Sequence, residues 1–235
     1  FGVRYMNKYQ FVYFDLDDTL LDHTHAEKCA LQTLFQEQTD LFGSNDFPDV
    51  YAAYRKINPV VWQKYSAGEF TKIQAKVGRF EQLLAAMGRP DNEASLWLAD
   101  AYLNRYSYHW QEVEGAIDAF KNTAAQVPVG IMTNGFSEIQ RAKLSQFPIF
   151  DELSKDVIVS EEVGFLKPDV RLFKHAEAAA KVPGESILYV GDSLSSDVKG
   201  GLGAGWKVAW YSKENYDHDD VWSFTDWSTF VDKLS

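Results

Sequence analysis

The 235-residue chain is long enough for one substantial core, or for a core with a smaller inserted unit. Its 46% hydrophobic and 24% charged residues are ordinary for a globular protein, and a net charge of −11 argues against polymeric nucleic acid or an anionic membrane as partner. A single cysteine, Cys29, excludes an internal disulfide and a multi-cysteine zinc site.

Residues 1–5 stand oddly ahead of Met6 and read as a leftover extension, from which nothing is drawn. No apolar signal core follows and no run reaches membrane-spanning length, so a reducing cytoplasm is the expected compartment. Phe11 to Phe14 are aromatic and β-branched, the composition of a buried strand, and Asp15, Asp17 and Asp18 come directly after them. Ligands of open α/β sheets bind just beyond the carboxyl ends of strands, so chemistry is expected here. Two apart in an extended chain, Asp15 and Asp17 point the same way. Carboxylates that close repel unless a cation lies between them or one keeps its proton. The pair suits a metal-assisted nucleophile with an acid/base partner; a solvated acidic turn is the plain alternative.

From residue 22 helical periods take over. Ala26 to Gln38 predicts a helix in which Cys29 is a small buried thiol, and Leu41 to Pro48 a connection. Asp49 to Tyr65 predicts a second helix, interrupted near Asn58-Pro59 because the residue before proline is pushed out of the helical region. Thr71 to Met87 carries Ile73, Val77, Phe80, Leu84 and Met87 at steps of three and four, with Gly88 as the stop. Asp91 to Tyr108 gives a fourth helix. With no convincing strand among them, these residues predict a helical bundle inserted into a sheet domain.

From Gly115 onward strands and helices alternate. Strands are expected at Val127–Thr133, Asp156–Ser160, Ser186–Val190 and Lys207–Tyr211, the last completing the series. Ser137 with Gln140 forms a capping-box pattern opening one helix; others are expected at Asp169–Lys181 and around Ser196–Leu202. The tail from Asp217 predicts an acidic loop and a short terminal helix. This alternation predicts an α/β fold, a Rossmann-like parallel sheet with helices on both faces. The expected domains are a core of residues 1–21 and 111–235 and a helical insertion of residues 22–110.

Three further strand ends carry polar groups. Thr133-Asn134-Gly135 offers a hydroxyl, an amide and backbone N–H groups at a helix N-terminus, a ready anion site, although such a sequence is usually only a turn. Lys167 stands before Pro168, which suits the first turn of the next helix. Gly191-Asp192-Ser193 ends another strand, with Asp197 five residues beyond Asp192. Singly these are weak signals. Their joint occurrence at strand ends, in this order, points to one site.

Asp15-Leu16-Asp17-Asp18-Thr19, Thr133, Lys167, and Gly191-Asp192 with Asp197 resemble the four motifs of the haloacid dehalogenase superfamily of phosphohydrolases, and the likeness spans essentially the whole chain. Asp18 departs from it, since glycine is more usual there. Asn58-Pro59, Trp62, Gly78 to Glu81, Thr133 to Phe136 and Ser160 to Gly164 look more narrowly like pyrimidine 5'-nucleotidases of the YjjG type. The resemblance implies a helical cap and a Mg²⁺-dependent phosphomonoester hydrolase acting through an aspartyl-phosphate. Asp15 would be the nucleophile and Asp17 the acid/base. Lys167, Thr133 and Asn134 would hold the phosphate. Asp15, Asp192 and the Asp17 carbonyl would ligate the metal, with Asp197 in support. The implied substrate is a small phosphorylated metabolite, a (deoxy)pyrimidine nucleoside monophosphate; the oligomeric state stays open. A sugar-phosphate phosphatase or phosphomutase on the same fold is the alternative. A 2-haloacid dehalogenase would need neither an acid at Asp17 nor a metal at Asp192. A phospho-accepting receiver module would be far smaller. None of the Tyr and Trp residues in the helical stretch is assigned a contact.

Overall fold

The computed structural model describes residues 8–234, and the extension expected at residues 1–5 lies outside them. Two compact units divide the chain: one takes it up to Asp22 and resumes at Gln111, the other is His23–Trp110. The chain leaves the first unit and returns to it through a short neck. There the Asp22 N–H donates to the Gln111 carbonyl at 3.0 Å, Leu21 bridges antiparallel to Glu112, and the Val113 N–H donates to the Leu20 carbonyl at 2.9 Å.

The first strand, β1, is Phe11–Phe14, buried at all four positions. Its side chains alternate, as a pleated strand requires. Val12 and Phe14 enter one apolar cluster, Phe11 and Tyr13 another. Each such ring removed from water contributes about 1.5–3 kcal/mol.

The helical unit follows, built from α1 (His23–Glu37), α2 (Phe47–Ser66), α3 (Lys72–Ala86) and α4 (Asn92–Tyr108). Asp46, Thr71 and Asp91 cap the last three through side-chain oxygens, and Thr71 with Gln74 completes a capping box. Three expectations are corrected here. Helix α2 runs unbroken through Asn58-Pro59. Burial of Val50, Tyr54, Asn58 and Val61 along one face holds the helix together against the local preference before proline. On α3 the buried face is Ala75, Gly78, Arg79, Phe80, Leu83 and Leu84, while Ile73 is 72% exposed. The helix is turned so that an arginine, not the first isoleucine, faces inward. Cys29 is only partly buried, its Sγ 3.5 Å from His25 Nε2.

The remaining strands and α-helices are α5 (Ala116–Ala124), β2 (Val129–Thr133), α6 (Ser137–Gln146), α7 (Pro148–Leu153), β3 (Ser154–Val159), α8 (Ser160–Val163), α9 (Val170–Ala180), β4 (Ile187–Gly191), α10 (Lys199–Ala204), β5 (Lys207–Tyr211), β6 (Val221–Phe224) and α11 (Trp227–Asp232), with a π-helical turn at Leu194–Val198 ahead of α10. All six strands are parallel, in the order β3-β2-β1-β4-β5-β6. One face packs Val12 and Phe14 against Phe120, Trp227 and Phe230; the other packs Tyr13 against Trp206 and Phe173. Strand β6 was not expected. It lies in the tail read as an acidic loop, and its four residues are too few to give a period. Pro168 stands before the α9 N-cap, Asp169, so it is not in the first helical turn. No helix among the described residues is long and apolar enough to cross a membrane.

Candidate active site

Strand β1 lies between β2 and β4, with Phe14 in register with both Ile131 and Val190. The ends of β1, β2 and β4 therefore lie side by side, and Asp15, Thr133 and Asp192 come together there. Asp15 is 7% exposed. Its N–H donates to the Val190 carbonyl at 2.8 Å, and its Oδ1 accepts from the Leu16 N–H at 2.8 Å.

Lys167 reaches the same point from the loop before α9. Its Nζ lies 2.8 Å from Asp15 Oδ1, 2.8 Å from Asp197 Oδ1 and 2.7 Å from the Tyr189 hydroxyl. Burial disfavours an ammonium, but the Asp15 and Asp197 carboxylates more than offset it and hold Lys167 protonated, above its ordinary range. Asp15, Asp192 and Asp197 each bring a carboxylate oxygen within 4.8 Å of the others. Together they carry more negative charge than the Lys167 ammonium offsets. Burial pushes the Asp15 carboxyl up to about 7; Lys167 pulls against that, and Asp197 and Asp17 add to the rise. Burial, then repulsion from Asp197, Asp15 and Asp18, pushes Asp192 up to about 9. Oxygen-only donors with surplus negative charge suit a hard divalent cation.

Asp197, fully buried, is occupied on both oxygens. Oδ1 takes Lys167 and the Ser196 hydroxyl, and Oδ2 takes the Ser193 N–H at 2.9 Å. That leaves Asp15 and Asp192 as the carboxylates with room for a metal, and Asp197 as their support. Gly191 makes this packing possible, because a Cβ there would lie 2.4 Å from Asp197 Oδ2.

The side chain of Asp17 turns away from this cluster. Its Oδ1 lies 2.5 Å from Lys143 Nζ and its Oδ2 accepts from Gln140 Nε2 at 3.2 Å. The same Gln140 amide donates to the Thr133 hydroxyl at 2.6 Å. Gln140 thus joins Thr133 to Asp17, and the capping box expected of Ser137 with Gln140 does not form. Helix α6 has Phe136 as N-cap with no side-chain cap bond, and the Ser137 N–H donates to the Glu161 carboxylate at 2.7 Å. Asn134 also differs from expectation. Its Nδ2 donates to the Lys167 carbonyl at 3.0 Å and its Oδ1 accepts from the Lys167 N–H at 2.8 Å. The amide clamps the lysine loop, and the Asn134 carbonyl accepts from Gln140 Nε2 at 3.3 Å.

Sequence reasoning missed Gln140, Lys143 and Tyr189. Lys143 is 1% exposed, and nothing in the polar run around it distinguishes it from a surface lysine. Tyr189 lies on a strand already read as buried, where a tyrosine needs a partner for its hydroxyl. That requirement was the available signal: the hydroxyl donates to the Met132 carbonyl and accepts from Lys167.

Residues 9–205 match the family described as haloacid dehalogenase-like hydrolase. The HAD-hydrolase YfnB of Bacillus subtilis (strain 168) is 34% identical over 213 residues, covering 89% of this chain and 86% of that protein. A solved structure of YfnB bound to magnesium superimposes with a TM-score of 0.79 at 30% identity, covering 96% of this chain and 98% of that one. The pyrimidine 5'-nucleotidase YjjG of Escherichia coli (strain K12) is 29% identical over 214 residues, covering 91% and 90%. The family match and the buried strand-end carboxylates agree: this chain is a member of the haloacid dehalogenase-like hydrolase family.

Proposed function

We propose that the protein is a phosphomonoester hydrolase acting on (deoxy)pyrimidine nucleoside 5'-monophosphates through an aspartyl-phosphate on Asp15. The observation that carries this is Asp15 itself. It is a buried carboxylate at the end of the central strand, 2.8 Å from the Lys167 ammonium and clustered with Asp192 and Asp197. The name of the relative YjjG supports the nucleotide part.

A phosphate dianion repels a carboxylate nucleophile, so positive charge at Asp15 is the first requirement. Lys167 supplies part of it. Asp15 and Asp192 would hold a Mg²⁺, which when bound supplies positive charge to the phosphoryl oxygens. Asp15 then attacks phosphorus, forming an acyl phosphate as the bond to the leaving oxygen breaks. Asp17, protonated, gives its proton to the departing alcohol. Ionised, it then takes a proton from the water that attacks the aspartyl-phosphate, releasing inorganic phosphate and freeing Asp15. Lys143 Nζ, 2.5 Å from Asp17 Oδ1, would hold the carboxyl in place for both steps. Thr133 and the main chain of Asn134 and Gly135 would hold phosphoryl oxygens.

The test is phosphate release from a panel of nucleoside monophosphates and sugar phosphates, with Mg²⁺ and with chelator. Pyrimidine monophosphates are expected to lead in kcat/KM, and Asp15→Asn to abolish turnover in a folded protein. Substantial Mg²⁺-dependent activity in Asp15→Asn overturns the mechanism. A purine nucleotide or sugar phosphate leading the ranking overturns the substrate and leaves the phosphatase.

A further inference from the structure

Two groups with separate duties in the proposed reaction share one side-chain amide. Gln140, on α6 and 1% exposed, donates from Nε2 to the Thr133 hydroxyl at 2.6 Å and to Asp17 Oδ2 at 3.2 Å. An amide nitrogen carries two hydrogens, and these two bonds employ both. The Asn134 carbonyl, 3.3 Å away, is reached only by sharing one of them. Gly135 lets the side chain lie across the end of β2, since a Cβ there would stand 2.9 Å from Gln140 Cγ and Cδ. Lys143, on the same face of α6, takes the other Asp17 oxygen. The Asp17 side chain is nonetheless 25% exposed, so it can still meet an incoming group.

The direction of these bonds matters more than their number. A threonine hydroxyl has one proton to give. Because Oγ1 accepts from Gln140, that proton is left for a different acceptor. The acceptor it has in the protein is the Asn134 carbonyl, at 3.3 Å a long contact for an O–H donor. A charged phosphoryl oxygen is the stronger acceptor, and hydrogen bonds to it are shorter. Without the amide, the hydroxyl loses the bond that fixes where its proton points.

We infer that Gln140 is a positioning residue with two outputs, aiming the Thr133 proton at a phosphoryl oxygen and holding the Asp17 carboxyl for proton transfer. Phosphate binding and leaving-group protonation are thereby set by one amide. Both duties are those of the proposed function, on which this assignment rests.

Gln140→Met tests it, since methionine fills the same space without an N–H to give. Gln140→Leu is the second variant should methionine not fold there, with the same readings. The first reading is the affinity of the protein for inorganic phosphate, by calorimetry with Mg²⁺ present. Gln140→Met is expected to weaken it about three- to tenfold. With Thr133→Val already in place the change is expected to stay below about twofold, whereas Thr133→Ser, which keeps the hydroxyl, should preserve the full effect. The second reading is kcat for an alkyl and an aryl phosphate. The alkyl rate is expected to fall about tenfold more than the aryl rate, and that difference to vanish in Asp17→Asn. The same weakening of phosphate with and without the Thr133 hydroxyl overturns the assignment, as does an equal loss of alkyl and aryl rates. Either result leaves the phosphatase standing and means that Gln140 acts by packing alone. A parent protein that releases phosphate from no monoester, yet shows the coupling in phosphate affinity, refutes the proposed reaction and keeps the Thr133 output.

Discussion

Asp17 lies between Lys143 Nζ and the Gln140 amide, and this pairing bears on the acid/base role proposed for it. Asp17→Asn removes a proton carrier, and such groups are typically worth about 10²–10⁴-fold in rate. The loss is expected to be large for alkyl phosphates and small for an aryl phosphate, whose leaving group needs no proton; equal losses would contradict the role. Lys143→Met takes away the partner that holds Asp17 Oδ1 in place. Its kcat for alkyl phosphates should fall with little change for an aryl phosphate, and equal losses for both would show that Lys143 only fills space. Gly191 makes a simpler case. With a Cβ 2.4 Å from Asp197 Oδ2, Gly191→Ala must displace the carboxylate that fixes Lys167, so activity should fall even where the fold survives. Asp18 explains its own departure from the family pattern: its φ of 55° lies in the left-handed region that glycine prefers and aspartate tolerates.

Among the elements, α3 and α2 depart most from what their sequences suggested. Ile73→Glu on α3 should change stability by less than about 0.5 kcal/mol, because the side chain is already in water. Leu83→Ala should cost about 2–5 kcal/mol, since Leu83 is fully buried. Denaturant midpoints of the two variants would separate the observed face from the expected one. Pro59→Ala should stabilise α2 by up to about 3 kcal/mol, as it restores an N–H inside a continuous helix. Apolar spacing alone misplaced the α3 face because Arg79 is inside. An arginine in a core is legible only once its tyrosine partners on two other helices, Tyr54 and Tyr102, are known. Gln140 was misread for a similar reason: the capping pattern is local, while the bonds it makes reach Thr133 and Asp17. By contrast β1 and β4 were plain in the sequence, since strands buried on both faces are continuous apolar runs. The motif residues at their ends came with them.

For the molecule as a whole, the surplus of buried carboxylate links pH, metal and stability. Asp15 and Asp192 titrate above the ordinary carboxylate range. Between that range and about 7 and 9 respectively, the folded chain holds protons that the unfolded chain has lost. Without metal, stability should therefore decline as pH rises through this window. A divalent cation competes with those protons, so apparent Mg²⁺ affinity should rise over the same window and binding should release protons. Melting curves in chelator and in Mg²⁺ at pH 6 and pH 9 check both signs: the gap between the two curves must widen at the higher pH. Asp192→Ala should weaken the apparent affinity sharply, read in the same way.

The neck at Leu20–Asp22 and Gln111–Val113 governs how the chain can reach its sheet. Val12 must find Val129 across more than a hundred intervening residues, and such long-range parallel pairing is slow to form. Closing an unstructured loop of that length carries an entropy cost that grows only slowly with length, so shortening the insertion alone would gain little. What matters is that its two ends finish one hydrogen bond apart, between Asp22 and Gln111. A bundle that folds early would deliver β1 to β2 already closed. Destabilising the bundle with Leu83→Ala should therefore slow refolding of the parallel sheet, although no side chain of the sheet has changed.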